Sequence, residues 1–224
     1  LYLKRLQQEN TSLAGIAMSG DEDDDETRQM EGTLAEFLLW SMKHKEQDLS
    51  ILIADYAHPS LYGKTLQLRG VTGEQNSLHF GARGAVLCVA ETTQALLHQL
   101  VAVYATGNQV VLLQDTALLL PADFPPLLRA AMFIIEHPDE CSDLRLALLE
   151  HGQRQPDLRS ALAARDGAIV TVVTTHYPQV IPLWRLVTER ALCVNTTAAG
   201  GNASLMTISA VSYTHLRAHE TRED

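Results

Sequence analysis

The sequence predicts an α/β domain built on a mostly parallel sheet with flanking helices, preceded by a helical segment. Three stretches predict it. Ala85 to Ala90 reads AVLCVA, a continuous apolar run of strand length, suited to a sheet buried on both faces. Gln94 to Thr106 follows, with Leu96, Leu97, Leu100, Val101 and Tyr104 forming the apolar face of a helix. Gln109 to Leu113 is then a second apolar strand. This β-α-β order implies a right-handed crossover, and therefore a Rossmann-like sheet.

The other elements follow in chain order. Leu1 to Gln8 reads as a strand end or a helix start, and Thr11 to Met18 is weakly apolar. Ser19 to Glu26 is an acidic run, expected as a solvated loop or the first turn of a helix. It lacks the glycine and distal glutamate of a calcium loop. Glu26 to Lys45 is an amphipathic helix, with Met30, Leu34, Phe37, Leu38 and Met42 at spacings of three and four and Trp40 beside them. Leu49 to Tyr56 continues as helix until His58-Pro59-Ser60 ends it. Arg69 to Asn76, RGVTGEQN, is a turn. A Gly-x-x-Gly turn can cradle an anion, but Glu74 would repel a phosphate, so a turn into the hairpin strand Ser77 to Phe80 is favoured.

Thr92 or Thr93 caps the Gln94 helix and Gly107 ends it. Pro121 to Ala131 contains a short helix, and Met132 to Ile135 and Leu144 to Leu149 are strands. Pro156 to Ala164 is a helix ending at Gly167, and Ala168 to Thr174 is a β-branched strand. Pro182 to Arg190 is read as helical, with Leu183, Leu186 and Val187 on one face. Ala191 to Val194 is a short strand, and Thr196 to Ser204 is a close-fitting loop of small and polar residues. Gly200-Gly201 permits close backbone approach, and Leu205, Met206 and Ile208 form an apolar end to bury.

Composition narrows the function. The net charge is −10, and six acids lie together at Asp21 to Glu26, so the remainder is nearly neutral and carries no electrostatic footprint for nucleic acid. No apolar run reaches the roughly 18 residues of a membrane helix. Three widely spaced cysteines, Cys88, Cys141 and Cys193, fit reduced thiols in a cytoplasmic protein and make a zinc site unexpected. Cys88 and Cys193 sit in strands and are expected to be buried. The scattered histidines His98, His137, His151 and His176 show no catalytic pattern.

The turn after the first parallel strand argues against dinucleotide binding. That fingerprint needs glycines where backbone approaches a pyrophosphate at a helix N-terminus. Here the turn is Ala90-Glu91-Thr92-Thr93, without a glycine and with an acid, while Gly81 and Gly84 precede the strand.

Two motifs carry a family resemblance. The run Val194-Asn195-Thr196-Thr197-Ala198-Ala199-Gly200-Gly201-Asn202-Ala203-Ser204-Leu205-Met206-Thr207-Ile208 closely resembles the C-terminal motif VNTAAAGGNASLMTIG of the proline utilization A family, bifunctional proline and glutamate-semialdehyde dehydrogenases. Thr197 and Ser209 depart from it. The turn at 69–76 is similar to the family's GPTGERN: Gly70, Thr72, Gly73, Glu74 and Asn76 match, while Val71 and Gln75 differ. Arg165-Asp166-Gly167 and Glu189-Arg190 fit the same resemblance.

The resemblance implies an aldehyde dehydrogenase superfamily-like C-terminal domain. It implies docking on the semialdehyde dehydrogenase domain of the same polypeptide or of a second subunit, helping to cover the passage between two active sites. The docking motif would comprise Val194, Asn195, Gly200, Gly201, Asn202, Ser204, Leu205, Met206 and Ile208. The parent would use FAD and NAD, be cytoplasmic or peripheral at the inner membrane, and bind neither cofactor through this segment. The expected organisation is a connecting segment at 1–69 and a Rossmann-like domain at 70–208. Residues 209–224 are expected to be non-native, because VSYTHLRAHET matches a translated sequencing adaptor, and a piece of a longer protein is inferred. The competing reading is a free-standing NAD(P)-binding oxidoreductase of aldehyde dehydrogenase type, which titration with NAD would separate from the first.

Overall fold

The structure, a computed structural model, describes residues 24–195, with side chains described from residue 29. Two helices lead the fold. Helix α1 spans Asp24–Lys43 and α2 spans Gln47–Ala57. They turn at Lys45, whose φ is 58°. The period of Leu34, Phe37 and Trp40 places one face of α1 inward, and Leu49, Ile53 and Tyr56 do the same for α2. Trp40 is 8% exposed and belongs to the core, not to an outer face. Its indole N–H donates to Asp123 O at 3.0 Å.

Two sheets follow. Strands β1 (Thr65–Leu68), β2 (Glu74–Ala82) and β8 (Val187–Asn195) form an antiparallel sheet in the order β1-β2-β8. Strands β3 (Ala85–Val89), β4 (Gln109–Leu113), β5 (Phe133–Ile135), β6 (Leu144–Glu150) and β7 (Thr171–Thr175) form a parallel sheet in the order β5-β4-β3-β6-β7. Counted within the parallel sheet, that is the doubly wound order 3-2-1-4-5. Helix α3 (Thr93–Tyr104) makes the β3-to-β4 crossover, and Thr92 Oγ1 caps it by accepting from Ala95 N at 3.2 Å. Short helices α4 (Gln114–Ala117) and α5 (Pro126–Ala130) lie between β4 and β5, and α6 (Gln155–Ala164) links β6 to β7.

The alternation of side chains along each strand splits the core in two. Val86, Cys88, Val110, Leu112, Leu146 and Leu148 face α1, α2 and α3, whereas Leu87, Val89, Val111, Ala147 and Leu149 face Leu162 of α6. Both faces are covered, which is why the strands read as unbroken apolar runs. A third cluster, including Tyr62, Leu66, Leu78, Phe80 and Val187, lies against the antiparallel sheet.

Asn108 ties the two sheets together. Its Oδ1 accepts from Arg83 N at 2.7 Å and Gly84 N at 2.9 Å, and its Nδ2 donates to Thr106 Oγ1 and Leu186 O, both at 2.8 Å. One expectation fails here. Residues 182–190 do not form a helix: a short 3-10 turn at Leu183–Arg185 gives way to β8 at Val187. The apolar spacing of Leu183, Leu186 and Val187 reflects burial at the sheet junction, where Leu186 O is taken by Asn108 rather than by a helical amide.

A buried histidine makes stability depend on pH. The Ile181 amide donates to Tyr56 Oη at 2.6 Å, and Tyr56 Oη is hydrogen-bonded to His98 Nε2 at 3.1 Å. His98 is 3% exposed, and burial lowers its pKa from 6.5 to about 4. The unfolded chain therefore binds a proton that the folded chain refuses. This contribution is fully present above pH 6.5 and is lost as pH falls from 6.5 towards about 4. Within that window, urea denaturation should show wild-type stability falling faster than that of His98→Gln by about 1.4 kcal/mol per pH unit. Equal slopes for the two proteins would contradict the assignment.

Candidate functional site

The two family-like motifs meet at one end of the antiparallel sheet. The register pairs Glu74 with Asn195, Gln75 with Val194 and Asn76 with Cys193. The turn at 70–76 and the first two residues of the terminal motif are therefore neighbours, although 118 residues separate Asn76 from Val194. Gly73 adopts a φ of 91°, and a Cβ at Gly70 would overlap the Glu74 carbonyl. Glu74 N closes the turn on Val71 O at 3.0 Å. Thr72 lies between these glycines, and the turn leads directly into β2, which pairs with β1 through Leu68 and Asn76. The hairpin β1–β2 straddles residue 69.

Strand β8 is an edge strand among the described residues. From Glu189 to Asn195 it is exposed, with Leu192 at 60% and Val194 at 43%. These two point to the same face, two residues apart. Cys193 is exposed as well, contrary to the expectation of a buried thiol. The run Ala191 to Val194 is apolar, but its strand has solvent on its outer side rather than a second layer. Cys88 is buried, and burial raises its thiol pKa, so it stays a protonated core residue. Cys141 is partly buried after a short 3-10 turn at Pro138–Glu140. Gly200, Gly201, Asn202, Ser204, Leu205, Met206 and Ile208 lie outside the described residues, as do the terminal run from Thr196 onward and most of the acidic run.

The parallel sheet changes winding direction between β3 and β6, where folds of this kind take a nucleotide. Two of the chain's own carboxylates, Glu91 and Glu150, lie there. Glu150 Oε2 accepts from Glu91 N at 2.6 Å, so the amide that would meet a pyrophosphate is already engaged. The Glu91 side chain occupies the space where a Cβ on Gly152 would sit. Asp115, in α4 just after β4, pairs with Arg154 at 2.6 Å. The turn Ala90-Glu91-Thr92-Thr93 thus carries one glutamate, faces a second at the end of β6, and has no glycine amide. The acid and missing glycines of this turn were readable in sequence. The Glu150 contact was not, because it spans 59 residues. Among the described residues no group of three His, Cys, Asp or Glu is placed to hold a metal, and no helix is long and apolar enough to cross a membrane.

These features define a doubly wound α/β domain with two glutamates at its switch point and a second, antiparallel sheet that presents an exposed edge among the described residues. The chain is a homologue of the bifunctional PutA proteins. Bifunctional protein PutA of Escherichia coli K12 is 38% identical over 174 residues, covering 75% of this chain and 13% of that protein. The Salmonella typhimurium LT2 protein is 39% identical over 171 residues, covering 71% and 12%. The chain thus spans only about an eighth of the curated relatives it matches. No protein-family model matches it. Among solved structures, a mutant of Bradyrhizobium japonicum proline utilization A is 22% identical, with a TM-score of 0.43 over 58% of this chain and 15% of that one. Aldehyde dehydrogenase 21 of Physcomitrella patens, solved with succinate, is 13% identical, with a TM-score of 0.41 over 78% and 43%. The family assignment rests on the sequence relatives.

Proposed function

We propose that this chain is a non-catalytic domain of a bifunctional enzyme that oxidises proline to glutamate. In this reading it docks on the semialdehyde dehydrogenase domain, of the same polypeptide or of a second subunit, and helps enclose the passage for the intermediate. The parent carries the chemistry: FAD takes electrons from proline, and NAD takes a hydride from the semialdehyde. This chain contributes surface. The carrying observation is that the turn at 70–76 lies beside the first two residues of the terminal motif, on the strand β8 whose other edge and side chains are exposed. An edge strand offers unpaired backbone N–H and C=O groups to a partner strand, and alternate side chains then select the partner. Leu192 and Val194 are those alternate side chains. The small residues that follow, Thr196 to Ser204, suit close approach to another surface.

The test is Leu192→Asp with Val194→Asp in the joined bifunctional enzyme. Two buried carboxylates at a packed edge should lower semialdehyde oxidation at least about tenfold, while proline oxidation by the flavin domain is unchanged. Wild-type rates for both half-reactions would overturn the docking role of this edge.

A further inference from the structure

A second cavity lies at the opposite end of the parallel sheet from the nucleotide crevice. It measures about 550 Å³, and its lining includes Arg83, Thr171, Trp184, Arg185, Thr188 and Glu189. Arg83 lies two residues before β3, and Thr171 opens β7, so the cavity sits at the amino ends of the strands. The two arginines are held in place by different contacts. Arg83 Nη1 donates to Arg185 O at 2.7 Å, and the Arg185 guanidinium lies over the Trp184 ring, 5.6 Å from its centroid. Each keeps further N–H donors in a planar fork.

Among the described residues, neither guanidinium has a carboxylate within ion-pair distance, and Glu189, in the same cavity, pairs with neither. The cavity therefore carries a net positive charge on a chain whose overall charge is −10. Its hydroxyls, on Thr171 and Thr188, add neutral polar groups. The two forks and the hydroxyls match a small ligand with several oxygen acceptors, since guanidinium geometry fits carboxylate and phosphate oxygens in pairs. We propose that this cavity binds a small multidentate oxyanion, a dicarboxylate or a phosphate, through Arg83 and Arg185.

Trp184 supplies the readout. The chain has two tryptophans, and Trp40 is buried on the inner face of α1, so a fluorescence change on adding anion reports Trp184. The 224-residue chain is titrated with glutarate and, separately, with inorganic phosphate, with ionic strength held constant by sodium chloride. A saturable change is expected with at least one anion. Its Kd should weaken at least about tenfold in Arg185→Gln, which removes charge-assisted hydrogen bonds, and by less in Arg83→Lys, which keeps the charge. Response to glutarate alone assigns the site to carboxylates, to phosphate alone to phosphoryl groups, and to both to the oxyanion geometry they share. The proposal is overturned if neither anion gives a saturable change, if Arg185→Gln binds as wild type, or if sodium chloride alone reproduces the signal.

Discussion

Phe37→Ala will lower the unfolding free energy of this chain by about 3–5 kcal/mol. Phe37 is fully buried on α1 and sits among three other aromatic rings. Its ring centroid is 6.0 Å from Trp40, 6.1 Å from Tyr104 and 5.4 Å from Phe124, the last two edge-on. Tyr104 closes α3 and Phe124 lies in the connection after β4, so one side chain joins the leading helix to the parallel domain. Truncation removes the transfer free energy of the ring and leaves a cavity walled by rigid aromatics that collapse poorly. Urea denaturation of the variant measures the loss. A change below about 1 kcal/mol would mean that α1 is not part of this core.

Gly107→Val should be nearly as damaging, by about 3 kcal/mol or more. Two effects add. Gly107 ends α3 with a φ of 65°, a conformation in which a β-branched side chain is strained. A Cβ there would also overlap the Tyr62 ring, which is buried in the cluster against the antiparallel sheet. The ring must leave that cluster, or the helix end must move away from Asn108, whose side chain joins the two sheets. Gly107→Ala carries the strain and the first part of the clash, so its loss should be smaller than that of valine. Thermal unfolding of both variants gives the order, and an alanine variant as stable as wild type would remove the steric argument.

Much of the parallel domain was legible because its signals are local. The runs at 85–89 and 109–113 are apolar on both faces, and the structure buries both faces. The cap at Thr92 and the glycine stop at 107 mark α3 to within two residues. The antiparallel sheet was not legible in the same way. β8 pairs with β2 across more than 100 residues, and its unbroken exposure from Glu189 to Asn195 leaves no hydrophobic period that distinguishes it from a helix end. Hence Pro182 to Arg190 read as a helix, and Cys193 read as buried. Thr65–Leu68 was missed because its four residues gain their apolar environment from the hairpin, not from their own composition. The turn at Gly70 and Gly73 and the run beginning at Val194 were each visible as motifs, while their adjacency came from the β2–β8 register.

The docking account is tested most directly by mixing. Residues 1–209 are added to a homologous bifunctional enzyme truncated before the equivalent of this segment, and NAD reduction from the semialdehyde is followed. The account predicts tight binding and recovery of semialdehyde oxidation, with weaker recovery when Leu192 and Val194 are replaced by aspartate. No binding and no recovery, with residues 1–209 folded by circular dichroism, would contradict it.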